Sequence, residues 1–309
     1  MWRKFTLILV LIVVVAVLWS CENELEITRV PISAGNSSSF AIRSDDSLWA
    51  WGQNEHGRLG DGTTKDRYSP VKIMDNVVAV SASFAHTLAI RSDGSLWAWG
   101  WNRRGQLGGG TTEARYNPMK IMDDVISVSA GFAHTLAIRS DGSLWAWGWN
   151  QYGQLGDGTT EDRHSPVHIM DDVISVSAGF DHTMAIRSDG SLWGWGSNDT
   201  GEDRLSPVHI MDDVTFVATS SIHTMAIRSD GSLWGWGDNW YEQLGDGTNE
   251  NRHSPVHIMD DVVAVSAGDN HTLAIKSDGS FWGWGANHLG QLGNGTNEWQ
   301  HDHVKIWAE

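Results

Sequence analysis

The 309 residues hold one cysteine, Cys21, and only six prolines. A single thiol excludes any disulfide within the chain, so packing and hydrogen bonds must hold the fold together. Basic residues are scarce too: 21 Lys and Arg against 38 Asp and Glu leave a net charge of −17. So acidic a surface repels phosphate backbones, and nucleic acid is not an expected partner. Only one long apolar run occurs, over residues 5–19, broken by Thr6 alone. Against these shortages stand 19 Trp and 34 Gly.

The apolar run follows Arg3 and Lys4 and spans 15 residues, the length of a secretory h-region and short for a bilayer crossing. After it, Leu18-Trp19-Ser20-Cys21 resembles a bacterial lipobox, with Trp19 departing from the usual pattern. The expectation is a lipoprotein-type signal peptide over residues 1–20, lipidation at Cys21, a tether over residues 21–29 and a folded domain over residues 30–309. The mature protein would then be exported, either anchored to the envelope by lipid or secreted. Loss of the leader removes two cations and no anion, which makes the chain more acidic still.

Internal repetition dominates the remainder. "SLWAWGWN" stands at 95–102 and at 143–150, with variants at 47–54, 191–198, 232–239 and 280–287. His86, His134 and His182 recur 48 residues apart, His223 follows after 41 and His271 after a further 48; Ser38 holds the place in the first copy. A period near 50 belongs to propellers and solenoids. Each copy reads as four short strands, such as "VVAVSA", "HTLAIRS", "SLWAWG" and "SPVKIM". The Asp-Gly of "SDGS" predicts a type I′ hairpin, and Pro70 is expected at the start of the fourth strand. Both faces of each strand are apolar, so the sheets must be sandwiched between copies of themselves. The Trp pairs are expected to fill the gaps between copies.

The stretch "HTLAIRSDGSLWAWGWNQYGQLGDGTT" (134–160) resembles the repeat of the regulator of chromosome condensation family, and the match recurs over residues 30–306. The resemblance implies an all-β protein, a β-propeller of four-stranded antiparallel blades, with seven the usual family number. Six copies are counted, so six blades are expected; a seventh blade, or a partner supplying one, stays open. The family's founding members promote nucleotide exchange on a small GTPase, and a family-like secreted bacterial protein inhibits β-lactamase. Those activities are alternatives that the resemblance implies for this chain.

No constellation in the sequence breaks repeat symmetry to assemble a catalytic site, and no enzyme activity or cofactor is expected. The repeated histidines each belong to their own copy and read as structural. The pairs His164/His168 and His253/His257 are spread along strands around a proline rather than placed to chelate. "GDGTTED" (156–162) lacks the spacing of an EF-hand and reads as turn chemistry. The recurrent "IMDD" pairs read as strand-to-strand turns. No metal site is expected.

The copies differ in two loops that an up-down-up-down blade sends to one rim. After Trp-Gly they read "QNEH", "WNRR", "WNQY", "SNDT", "DNWY" and "ANHL". Before the histidine they carry Phe84, Phe132, Phe180, Ile222 and Asn270. Mixed aromatic and Arg side chains are those enriched at binding hot spots. The expected partner-binding residues are Phe84, Arg103, Arg104, Phe132, Gln151, Tyr152, Phe180, Trp240, Tyr241 and His288. The expected partner is a protein, or a glycan, at the cell surface, bound by a monomer.

Overall fold

The structure, a computed structural model, describes residues 27, 29–84, 86–197 and 203–307. The expected leader, Cys21 and the 199–200 loop residues lie outside them. Six four-stranded antiparallel sheets follow one another along the chain, each in simple sequence order. Blade 1 spans residues 32–74, blade 2 77–122, blade 3 125–170, blade 4 173–211, blade 5 214–259 and blade 6 262–307. In blade 3 the strands are Val125–Ala130, His134–Arg139, Leu144–Gly148 and Arg163–Met170. The first strands of neighbouring blades pack on one another and therefore lie innermost.

The core sits between blades, as the two-faced apolar strands require. Leu88, Ile90 and Leu96 of blade 2 pack with Ala137 and Trp147 of blade 3, all fully buried. Before blade 1, Ile27 packs against the cores between blades 2 and 3 and between blades 3 and 4. Val30 then pairs in parallel with Ala79, giving and receiving hydrogen bonds of 3.2 Å with Val78 and Val80. The chain thus enters along the inner edge of blade 2.

Three local expectations change. The "SDGS" hairpin is not type I′, because Gly94 (φ +76°) has positive φ and Asp93 does not. The Asp93 carboxylate instead accepts hydrogen bonds from the Ser95 amide (3.0 Å) and hydroxyl (2.5 Å), and Arg91 bonds Ser95 across a three-residue loop. That is the type I turn plus left-handed glycine, closed by an Asp side chain. Pro70 lies inside the strand Arg67–Met74 rather than at its start. The strand is the outermost of its sheet, where a missing N–H breaks no ladder.

The Trp pairs also divide their work. Trp99, Trp147, Trp195 and Trp284 are buried between blades, and the Trp147 indole donates to the Gln106 carbonyl of the preceding blade at 2.9 Å. The earlier Trp of each pair is half-buried, and Trp145 bonds Ser143 of its own hairpin at 3.0 Å. The earlier Trp still packs at the edge of the same interblade core, as Trp97, Trp145, Trp193 and Trp282 do, while the second Trp of blades 2, 3, 4 and 6 lies fully inside it.

Candidate functional site

The varied loops are held by an invariant frame. Gly148 (φ +102°) turns the chain out of the sheet, and a Cβ there would meet the Ala133 carbonyl at 2.5 Å. The Trp149 amide then donates to that carbonyl at 2.9 Å, which ties the loop after the third strand to the loop before the second. Corresponding bonds join Ser197 to Asp181, Asp238 to Ile222 and Ala286 to Asn270. Asn150, fully buried, accepts from the Leu155 amide (2.9 Å) and donates to Asp157 and to the Thr159 carbonyl (3.0 Å each). The Trp-Gly-x-Asn and Gly-Gln-Leu-Gly phrases are therefore two ends of one loop clamp.

The residues weighed for chemistry are absorbed by this frame. Asp157 also receives the Thr159 hydroxyl at 2.8 Å and Arg163 at 2.6 Å. Burial alone would raise its carboxyl, but the Thr159 and Arg163 hydrogen bonds outweigh that and hold it below the ordinary range. The His86 ring bonds Ser83 at 2.8 Å and, across the interface, Thr135 at 3.1 Å. Burial lowers His86, His134 and His223 to about 3, so all three are neutral interblade pegs. The second aspartate of each "IMDD" turn adopts positive φ, as in Asp124 (φ +61°), while Asp171 pairs with His168 at 2.8 Å. Among the described residues no group of three His, Cys, Asp or Glu could hold a metal ion.

On the varied rim the structure assembles a continuous aromatic cluster over blades 2 to 4. Phe132 is its hub, stacked on Phe180 at 4.1 Å and tilted against Phe84 at 5.1 Å. Trp101 and Trp149 meet Phe132 edge-on at 6.5 and 6.1 Å, and Tyr152 meets Trp149 at 5.4 Å. Phe84 is 45% exposed and Phe180 36%, so the row opens to solvent. In blades 5 and 6 the same positions carry Ile222 and Asn270, and Ser221 bonds Asp269 at 2.6 Å. The aromatic row ends there.

Cations border this cluster in an otherwise acidic molecule. The Arg104 guanidinium lies 5.8 Å from the Trp149 ring and pairs with Asp162 of the next blade at 3.2 Å. Arg103 and Gln151 are exposed, and Arg103 has no ion pair among the described residues. Arg58, which the sequence reading missed, is 3% exposed and sits 5.9 Å from the Phe84 ring. Its Nε donates to the Glu55 carbonyl at 3.1 Å, the Glu55 carboxylate is 4.0 Å away, and Nη1 has no hydrogen-bond partner. Burial lowers its pKa. The signal was available: "GRLG" (57–60) replaces the Gln of the other "GQLG" loops with Arg.

Phe84, Arg104, Phe132, Tyr152 and Phe180 are thus brought together, while Trp240, Tyr241 and His288 are not. Trp240 is 69% exposed on blade 5, Tyr241 packs edge-on against Trp299 at 5.2 Å, and His288 is exposed on blade 6. Separately, where the fourth copy lacks its "GQLGD" segment, a cavity of about 250 Å³ opens between blades 4 and 5 beside His182, Trp195, Trp236 and Arg252.

These features define an RCC1-type β-propeller, a scaffold of copied blades with one varied rim. The chain belongs to the RCC1-like domain family, whose model matches residues 18–204; models of the regulator of chromosome condensation (RCC1) repeat match residues 230–275, 214–243 and 262–291. No curated protein matches. Among solved structures, human WBSCR16 superposes with a TM-score of 0.79 at 23% identity, covering 92% of this chain and 83% of that one. Yeast RCC1 (Prp20), solved bound to Kap60, gives 0.77 at 21% identity over 89% of this chain and 74% of that one. A second structure of Prp20p from Saccharomyces cerevisiae, described with its binding properties to Gsp1p and histones, gives 0.77 at 22% over 89% and 76%. At these identities the likeness concerns the fold.

Proposed function

We propose that this propeller is an exported, envelope-associated binding module that captures a protein on the aromatic rim of blades 2 to 4. The observation that carries the reading is the solvent-open Phe84–Phe132–Phe180 row bordered by Arg58, Arg103 and Arg104. Large aromatic and Arg groups supply most interface energy, and a cationic border on an acidic protein selects carboxylate-bearing partners. The relatives support a protein-binding role, since yeast RCC1 was solved with a protein partner. The leader-like residues 1–20 and Cys21 support export and a lipid anchor. Trp240, Tyr241 and His288 form a secondary contact at most.

A test is site-specific photo-crosslinking in cells of the full chain, with the photoreactive residue placed at Phe84 or Phe180. Cross-links to an envelope protein from these positions, and none from Asp171 on the other rim, are expected. Cross-links confined to Asp171 would refute the reading. Inhibition of a secreted hydrolase by the purified chain would assign the alternative role of enzyme inhibitor to the same surface.

A further inference from the structure

Five of the six copies keep the long loop between the third and fourth strands, and in three of them one carboxylate ties it together. In blade 3 the Asp157 Oδ1 accepts from the Thr159 amide (3.0 Å), the Thr159 hydroxyl (2.8 Å) and Asn150 (3.0 Å), while Oδ2 accepts from Arg163 Nε at 2.6 Å. Asp61 in blade 1 and Asp246 in blade 5 each receive the same four donors at 2.5–3.0 Å. Blade 6 changes acid and base together. Asn294 replaces the Asp and Gln300 the Arg, and the Thr296 amide and hydroxyl still bond Asn294, at 3.1 and 2.9 Å.

Blade 2 changes only the acid. Gly109 stands where the Asp would be, and Arg115 is kept. The Thr111 hydroxyl and Arg115 Nε are both buried, and among the described residues neither has a hydrogen-bond partner. A second carboxylate is replaced beside them: Asp66 and Asp162 accept from the Asn54 and Asn150 amides at 2.8 and 2.9 Å, and blade 2 has Ala114 in that place. Asn102 still donates to the Thr111 and Glu113 carbonyls at 2.9 Å each, so the loop keeps the path of its sisters. The donors that surround Asp157 in blade 3 are therefore retained in blade 2 without an acceptor.

The backbone does not demand this glycine, because Gly109 lacks the positive φ of Gly108 and Gly110 (+81° and +76°). A Cβ at Gly109 would meet Met119 alone within 4 Å, overlapping its methyl, where blades 1, 3 and 5 carry Val71, Val167 and Val256. A thioether on three rotatable bonds is a neighbour that swings aside. Gly109 is exposed, and an open pocket of about 410 Å³ has Ala114, Arg115 and Met119 in its lining. Desolvated donors gain most from the acceptor they lack, and a guanidinium beside a hydroxyl favours a charged acceptor with two oxygens.

We propose that the blade 2 loop binds the carboxylate of a ligand, one oxygen accepting from Thr111 and the other from Arg115, as Asp157 does in blade 3. The group is carried by a small organic acid or by an acidic side chain of a bound polypeptide. The site is separate from the aromatic row and does not depend on it.

The test follows the melting temperature of the full chain in formate, acetate and acetyl-aspartyl-amide, each against chloride at equal ionic strength. The parent should gain about 2 °C or more in formate, and Met119→Val, which clears the methyl, should gain more. Gly109→Asp/Met119→Val rebuilds the loop of blades 1, 3 and 5; it should melt above the parent in chloride and gain nothing further from formate. Arg115→Gln should lose the response as well. A gain in acetyl-aspartyl-amide that matches the gain in formate supports the site and assigns it to a side-chain carboxylate, whereas a gain in formate and acetate alone supports it and assigns it to a small acid. An equal rise in the parent, Met119→Val and the double variant is a general salt effect and would overturn the proposal. So would saturation transfer to the formate proton that is undiminished in the double variant.

Discussion

The indole of Trp147 and the hydroxyl of Thr135 converge on one acceptor, the Gln106 carbonyl of the preceding blade, at 2.9 and 2.8 Å. This shared oxygen fixes how blade 3 sits on blade 2, and the pattern recurs at Arg58, Gln154 and Gln243. Blade stacking is thus specified by hydrogen bonds inside an apolar contact.

Trp147→Ala should therefore cost about 3–5 kcal/mol, the range for a buried aromatic truncated in a core. Trp145→Ala, two residues earlier on the same strand, should cost markedly less, because Trp145 is half-buried and bonds only its own hairpin. Urea unfolding of the two variants checks this. Equal losses would mean that the two indoles serve the interface equally.

Asn150 is fully buried, and its carbonyl oxygen is the acceptor for the Leu155 amide. Asn150→Ala leaves that buried N–H without its partner and opens the loop that carries Tyr152 and Gln154. A loss of about 1–3 kcal/mol follows from the desolvated donor alone. Thermal unfolding measures it, and hydrogen exchange at Leu155 should accelerate with it.

Stability should fall on mild acidification. His86, His134 and His223 are held at about 3 by burial, against about 6.5 in an unfolded chain. Between those values the unfolded state binds protons that the folded state refuses. The stability is therefore present above pH 6.5 and is lost as pH falls toward 3, at about 1 kcal/mol per pH unit for each histidine. Denaturant titrations at pH 7 and pH 5 test this, and His134→Gln should flatten the slope. A pH-independent midpoint over that interval would contradict it.

Much of this architecture was legible in the sequence, for a physical reason. Six near-identical copies with apolar residues on both strand faces can only be buried by stacking on one another, so "SLWAWG" and "HTLAIRS" gave the blade directly. The Asp-Gly hairpin was misread because the Asp93 side chain closes the turn and frees Asp93 itself from positive φ. Both Trp of a pair face the next blade, because residues i and i+2 share a face; the sequence did not show that Trp147 lies fully inside the interface while Trp145 packs at its edge. At the rim, single-residue differences marked Phe132 and Arg104 as candidates. Sequence could not show that Phe84, Phe132 and Phe180 form one row while Trp240 stands apart, since their spacing depends on the turn of the propeller.

Arg58 offers a direct separation of folding from binding. Its counterparts in the four other copies that keep this loop are Gln, and its Nη1 is buried without a hydrogen bond. Arg58→Gln should leave stability unchanged or slightly higher, since a desolvated cation is removed. Binding of an acidic partner should weaken. A stable Arg58→Gln chain with unaltered affinity would remove Arg58 from the site.

The most direct test of the rim is the equilibrium affinity of the purified chain for the envelope protein that cross-links from Phe84 or Phe180. It would be measured for the parent, for Phe132→Ala/Phe180→Ala and for Trp240→Ala/Tyr241→Ala, all with matched melting temperatures. The rim of blades 2 to 4 predicts a loss of about tenfold or more in the first double variant and little change in the second. Equal affinity in all three, or a loss confined to Trp240 and Tyr241, would contradict it.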